Sequence, residues 1–230
     1  MCGRYGRYTP NPVLADLFEA ANHARSPVRY NVAPTQEQPI VRVPEPGLRE
    51  LVDLRWGLIP FWSRDPRETD RQYSLINARA ETVAEKPSFK AAYRYRRCLI
   101  PADGFFEWQP RGGGPKQPYW IRLASGEPMA FAGLWERWQG DLDGQSTILE
   151  TFTIVVGEPN EALAPIHNRM PAILPSDAWD LWLDPGIRGG APLEGLLWTP
   201  YPADALEVVP VSRQVNNPEN DGPDLIEPTG

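Results

Sequence analysis

The chain has 230 residues, enough to bury one good core and ordinary for a single α+β domain. An apolar share of 41% with 10% aromatics excludes a disordered chain, and no apolar run approaches the ~20 residues of a membrane-spanning helix. A net charge of −7 excludes an indiscriminate nucleic-acid binder. In chain order, the first twenty residues lack the apolar segment of a secretory signal, so a cytoplasmic protein is expected, nucleoid-associated if bacterial. Residues 12–22 carry apolar side chains at helical spacing, with Pro12 tolerated in the first turn. Residues 39–43 and 50–56 alternate as strands, and the polar run 63–74 predicts an exposed loop. Residues 79–94 predict a helix broken near Pro87. Strands follow over 98–109, 118–124, 129–136 and 151–157, with 111–115 and 139–145 as flexible or polar connections. Residues 159–165 and 176–183 predict helices, the second with Ser176 as N-cap, and a strand over 206–211 precedes an acidic segment from about 216. The order predicts an α+β fold with a largely antiparallel, barrel-like core flanked by short helices.

Charge is segregated along the chain. Residues 1–111 hold 17 of the 23 Lys and Arg and 13 of the 30 Asp and Glu, a net +4; residues 112–230 hold 6 and 17, a net −11. The basic residues are arginines apart from Lys86, Lys90 and Lys116. A guanidinium fork suits phosphate oxygens, so one face of an acidic protein is expected to meet an anionic partner. Two cysteines, Cys2 and Cys98, make no disulfide framework, and two histidines, His23 and His167, show no zinc spacing. No metal or cofactor is expected.

Several short motifs carry chemistry. Removal of Met1 would leave Cys2 with a thiol and an α-amine on adjacent carbons, titrating at about 8.5 and roughly 7.7–8.0. An amine condenses with an aldehyde to a Schiff base, and a β-thiol closes on that imine to a thiazolidine. Tyr30-Asn31-Val32-Ala33-Pro34 is by itself a turn. Trp56-Gly57-Leu58-Ile59-Pro60-Phe61-Trp62 sets aromatics before a polar segment, where they either finish a core or stack on bases. Asn77-Ala78-Arg79 places an amide and a guanidinium on a strand or a helix start. Glu107 sits in Phe105-Phe106-Glu107-Trp108, where burial raises a carboxyl toward neutrality; a salt bridge to a nearby arginine is the competing role. His167 lies two residues before Arg169, whereas His23 reads as structural.

These motifs, with Met1-Cys2-Gly3-Arg4, Asn77-Ala78-Arg79-Ala80-Glu81-Thr82 and His167-Asn168-Arg169-Met170-Pro171, together resemble the abasic-site-processing family, the SRAP (SOS-response-associated peptidase) domain. Pro210-Val211-Ser212 and Val215-Asn216 resemble its closing segment. The resemblance covers residues 2–225, leaving 226–230 as an expected flexible tail. It implies a sensor and shield of abasic sites in single-stranded DNA, acting in the DNA damage response by a covalent DNA–protein cross-link. Cys2 would be the nucleophile, Asn77 would orient its amine, Glu107 would protonate the sugar ring oxygen, and His167 would move protons during Schiff-base formation. Arg79, Arg169 and Arg4 would bind phosphates; Asn31, Pro34 and Trp62 would line the DNA channel. Ser63 departs from a second tryptophan found in some members.

The resemblance also implies lyase activity as a side path from the Schiff base, and a peptidase activity that need be no more than removal of Met1. A monomer is expected, with single-stranded abasic DNA as partner and no replication-fork protein specified. Two other readings use overlapping residues. An N-terminal-nucleophile hydrolase would use Cys2 against an amide, with its own amine as base. A non-catalytic reader of modified DNA would need the arginines and aromatics but not Cys2.

Overall fold

The alternating segments fold as strands, and their pairing sets the architecture. In the computed structural model, residues 2–229 are described. The strands are β1 (Tyr5–Arg7), β2 (Ala21–Asn22), β3 (Arg29–Val32), β4 (Glu37–Glu45), β5 (Leu48–Trp56), β6 (Asn77–Arg79), β7 (Arg97–Ala102), β8 (Gly104–Arg111), β9 (Gly114–Leu123), β10 (Met129–Leu142), β11 (Gln145–Gly157), β12 (Met170–Pro171), β13 (Ile173–Leu174) and β14 (Leu206–Pro210). The helices are α1 (Asn11–Leu17), α2 (Pro66–Tyr73), α3 (Lys90–Tyr95), α4 (Trp179–Leu183) and α5 (Ala191–Trp198).

Five strands close a barrel in the order β11-β10-β7-β4-β5, the last joining β11 again. Four of its joints are antiparallel; the closing joint is parallel, with Arg55 opposite Thr151 and Trp56 opposite Phe152. Closure removes the exposed edges an open sheet would leave. A second sheet runs β14-β9-β8-β1-β3. The chain crosses from barrel to second sheet at Asp103, so the single strand expected over 98–109 is two. The Asp103 carboxylate accepts from the Thr9 amide at 2.8 Å, and Gly104 follows because an added Cβ would lie 2.4 Å from the Trp120 ring. Tyr5 reaches from the second sheet into the barrel core, edge-on to Trp56 at 5.3 Å and to Phe131 at 6.1 Å. Among the described residues no helix is long and apolar enough to cross a membrane.

The α+β, barrel-cored expectation agrees with this fold, while several element boundaries differ. The helix expected over 12–22 stops at Leu17, because Glu19 takes a φ of 50° and Ala21–Asn22 pairs with β5. The loop expected at 63–74 contains α2, started by Asp65, whose carboxylate accepts from the Arg67 amide, and ended at left-handed Ser74. The helix expected over 79–94 is interrupted at Pro87 as expected and α3 follows, but its first half is not helical. Ala80 continues the pairing to Val156 and turns follow until Lys90. The segment 159–165 makes turns only, bracketed by Pro159 and Pro165. Ser176 begins a 3-10 turn without a side-chain capping bond. The polar turn at 139–145 narrows to Asp143-Gly144, with φ of 54° and 81°, the two positive angles a two-residue hairpin demands. The acidic segment from 216 is packed through Val215 and Leu225 against Phe106 and Trp120.

Arg97 shows how the helices are tied to the barrel. It is buried, and its guanidinium donates to the carbonyls of Trp182 and Asp184, both at 2.5 Å, and of Tyr93 and Ile187, both at 2.7 Å. These carbonyls lie at or near the ends of α3 and α4, where helices leave acceptors unpaired. Arg97→Ala should therefore cost roughly 3–5 kcal/mol, by analogy with breaking a buried charged network, and urea unfolding should show a lower midpoint with an unchanged slope.

Candidate functional site

The N-terminal arm is aligned by β8. Phe106 donates its amide to the Arg4 carbonyl at 3.0 Å, and Tyr5 pairs with Phe105, so the chain leads back from Tyr5 alongside Glu107. Cys2 is buried, and its carbonyl accepts from Asn77 Nδ2 at 2.8 Å. Asn77 opens β6, opposite Ile154 of β11. Its Oδ1 is buried and finds no hydrogen-bond partner among the described residues. Burial pushes the Cys2 thiol far above its ordinary value, and the nearby Glu107 carboxylate adds to the rise. The thiol is thus neutral in this arrangement.

Glu107 lies in mid-β8 between two aromatic residues, with a side chain 3% exposed. Burial pushes its carboxyl up to about 7, against opposing contributions that include the Trp108 backbone amide and, more weakly, the charge of Lys116. His167 sits in the turn before β12, with Nδ1 3.8 Å from a Glu107 oxygen. The same nitrogen lies 3.0 Å from the Arg169 carbonyl and 3.1 Å from its amide, so it serves one tautomer as donor and the other as acceptor. Burial holds the imidazole below its ordinary value. A carboxyl poised near neutrality beside an uncharged imidazole can both give and take a proton at pH 7.

The arginines divide into two kinds. Arg79 and Asn77 share one face of β6, with buried Ala78 between them, and Arg79 is exposed. Arg169 is ion-paired to Glu81, which ties the turn before β12 to the end of β6. Arg4 points the other way: its guanidinium donates to Asn31 Oδ1 at 2.9 Å and to the Val215 carbonyl at 2.7 Å. Asn31 is buried, and its Nδ2 donates to the carbonyls of Val215, Asn217 and Asn220. Arg4 and Asn31 thus clasp the C-terminal segment under the N-terminal arm.

Pro34 is half-buried in the turn between β3 and β4. Trp62 is 48% exposed, with Nε1 3.3 Å from the Pro87 carbonyl, and Phe61 beside it is 53% exposed. Ser63 points inward, its hydroxyl 2.6 Å from that of Thr69. The exposed aromatic pair is therefore Phe61-Trp62. The fold brings Cys2, Asn77, Glu107 and His167 together; the contacts of Pro34 and Trp62 do not join them. Two residues escaped the sequence reading. Lys116 lies beyond a glycine-rich turn that reads only as flexible, yet its charge reaches both Glu107 and His167. Trp198 lies at the end of α5 with no motif around it. Among the described residues no three His, Cys, Asp or Glu side chains gather as a metal set.

Comparison with known proteins adds a context. Residues 1–218 match the family described as SOS response associated peptidase (SRAP). The chain is 40% identical over 231 residues to abasic site processing protein YoaM of Bacillus subtilis, covering 99% of this chain and 98% of that one. It is 32% identical to abasic site processing protein HMCES of Gallus gallus, over 98% of this chain and 68% of the relative. A crystal structure of a protein from Bacteroides thetaiotaomicron superposes with a TM-score of 0.88 at 26% identity, covering 99% of this chain and all of that one.

Proposed function

The chain belongs to the SOS response associated peptidase (SRAP) family, and from that premise we propose that it captures abasic sites in single-stranded DNA covalently through Cys2. The names of its relatives support abasic-site handling; the cross-link is our reading of the site. One observation carries it. The Asn77 amide holds the main chain of Cys2 beside a buried carboxyl and a partly exposed imidazole.

The proposed sequence begins with hydrolysis of the Met1–Cys2 peptide bond, which consumes one water and frees the α-amine. That is the extent of peptidase action we infer. Asn77 Oδ1, a buried acceptor, would take a hydrogen bond from this amine. Protonated Glu107 gives its proton to the ring oxygen of the abasic sugar as the C1′–O bond breaks, and the anomeric hydroxyl passes its proton to the uncharged His167 imidazole, leaving the aldehyde. The amine adds to C1′, water leaves with a proton delivered through the Glu107–His167 pair, and a Schiff base remains. The thiol sulfur then adds to C1′ while its proton passes to the imine nitrogen, closing a thiazolidine. From aldehyde to ring, the net loss is one water. β-Elimination from the Schiff base would be a lyase side path.

The buried, neutral thiol favours this order over a hydrolase in which a thiolate attacks first. Specificity would come from the lesion's aldehyde, so the protein needs phosphate contacts and stacking more than base-edge reading. The test is incubation with single-stranded DNA bearing one abasic site, followed by denaturing electrophoresis. A shifted band that survives denaturation is expected, and its absence would refute the cross-link.

Arg79 is exposed on the same strand face as Asn77, as a phosphate contact would be. Arg79→Ala should weaken binding and reduce the slope of log K against log salt by roughly 0.7, the single-strand value for one lost phosphate contact. Affinity titrations at several salt concentrations give the slope. An unchanged slope would remove Arg79 from the channel.

A further inference from the structure

Trp198 is 60% exposed, the most exposed large hydrophobic residue among those described. It closes α5, and the preceding Leu197 is buried, so the helix end is anchored while the indole faces solvent. Trp198 lines a cleft of about 220 Å³ together with Ala80, Gly157, Leu197, Glu81 and Glu158. A Cβ on Gly157 would come within 3.0 Å of the Leu197 carbonyl oxygen, so glycine permits this close approach of α5 to β11.

The cleft adjoins the candidate site through three links. Ala80 directly follows Arg79 and bonds to Val156; Glu81 is ion-paired to Arg169; Gly157 pairs with Met170, the residue after Arg169. Its chemistry differs from that of the neighbouring arginines. Two carboxylates repel a phosphate, whereas an indole face and a carboxylate acceptor suit a flat ring bearing amino donors. Glu81 is engaged by Arg169, which leaves the exposed Glu158 as the acceptor facing the cleft.

We propose that this cleft receives the base of a nucleotide flanking the abasic site, stacked on Trp198 with its amino-bearing edge toward Glu158. The inference rests on the reading that single-stranded abasic DNA is the ligand. In a single strand the Watson–Crick edge is free for such a contact. Cytosine, adenine and guanine present an exocyclic amino donor, whereas thymine presents only N3–H between two carbonyl oxygens that repel a carboxylate, so the subsite discriminates against thymine.

The experiment uses the full chain in a Cys2→Ala background with an abasic analogue that has no aldehyde, which makes binding independent of any covalent step. Short single strands carrying a stable tetrahydrofuran abasic analogue are prepared with each base on either side of it, and affinity is measured by fluorescence anisotropy. Trp198→Ala should weaken binding about five- to a hundredfold, the range for one lost base stack, while Trp198→Phe retains most of the affinity. Glu158→Gln should abolish a preference of about fivefold or more against flanking thymine. Equal affinity of Trp198→Ala and its parent, with no base preference, overturns the subsite. Thermal melting separates loss of folding from loss of binding, and Glu158→Gln, at an exposed side chain, tests base preference even if Trp198→Ala fails to fold. Failure of the wild-type chain to form adducts would refute the cross-link and leave the binding result standing.

Discussion

Cys2→Ala is expected to abolish the denaturant-resistant adduct with abasic single-stranded DNA. The variant separates two functions that Cys2 combines. After Met1 is removed, alanine still offers an α-amine in the same place, held through the same main-chain carbonyl by Asn77. An imine can therefore form, and borohydride reduction should trap it. Without the thiol no ring can close, and the imine is hydrolysed when the protein is denatured. The expected pattern is a stable band for wild type, none for Cys2→Ala, and a band for Cys2→Ala only after reduction. A Cys2→Ala band equal to wild type without reduction would show that the thiol plays no part. Intact-mass analysis of the native protein checks the premise that Met1 is absent.

Glu107→Gln should slow adduct formation by roughly 10²–10⁴-fold, the usual contribution of a positioned general acid. The pH dependence identifies the role. Ring opening needs the protonated carboxyl, so the wild-type rate should fall as pH rises through about 7, and this descending limb should vanish in the variant. The free amine, titrating at roughly 7.7–8.0, must lose its proton and gives the ascending limb. Stability follows the same titration with a definite sign. The folded carboxyl titrates near 7, above its ordinary 4.5, so the folded state holds a proton that the unfolded chain releases. The stabilisation this proton brings is complete below about 4.5 and is lost as pH rises through 7. Glu107→Gln should therefore melt above wild type at pH 8, by roughly 1–3 kcal/mol of stability, with the gap closing at pH 4.5. A variant with the wild-type rate and the wild-type melting profile would reduce Glu107 to a filler of space.

The strands were the legible part of the fold because a half-buried sheet writes its alternation into the chain. Strands β4, β5, β9, β10 and β11 run a few residues beyond their expected ends, as polar ends of strands must. Helix α2 was hidden because it is polar on nearly every side and shows no apolar face; its Asp-Pro start is the signal that was available. Residues 79–94 misled because Ala80 and Val83 are buried at a three-residue interval that imitates a helix. Barrel closure joins Trp56 to Phe152 across almost a hundred residues, and no local pattern encodes such a pairing. At the candidate site, Glu107 was marked by its aromatic flanks and Cys2 by its position. The inward roles of Arg4 and Asn31 were invisible, since the carbonyls they bind carry no side-chain identity.

The clasp beneath the N-terminal arm has a consequence for synthesis. Arg4 and Asn31 are held by carbonyls of Val215, Asn217 and Asn220, and Asp221 accepts from the amides of Tyr30 and Asn31. The part of the protein made first is thus fastened by a part made 184 to 211 residues later. A nascent chain whose residues 215–221 have not yet emerged from the ribosome lacks the fastener. On the proposed chemistry, it cannot seat its aminothiol and scavenge cellular aldehydes before residues 215–221 have emerged and docked.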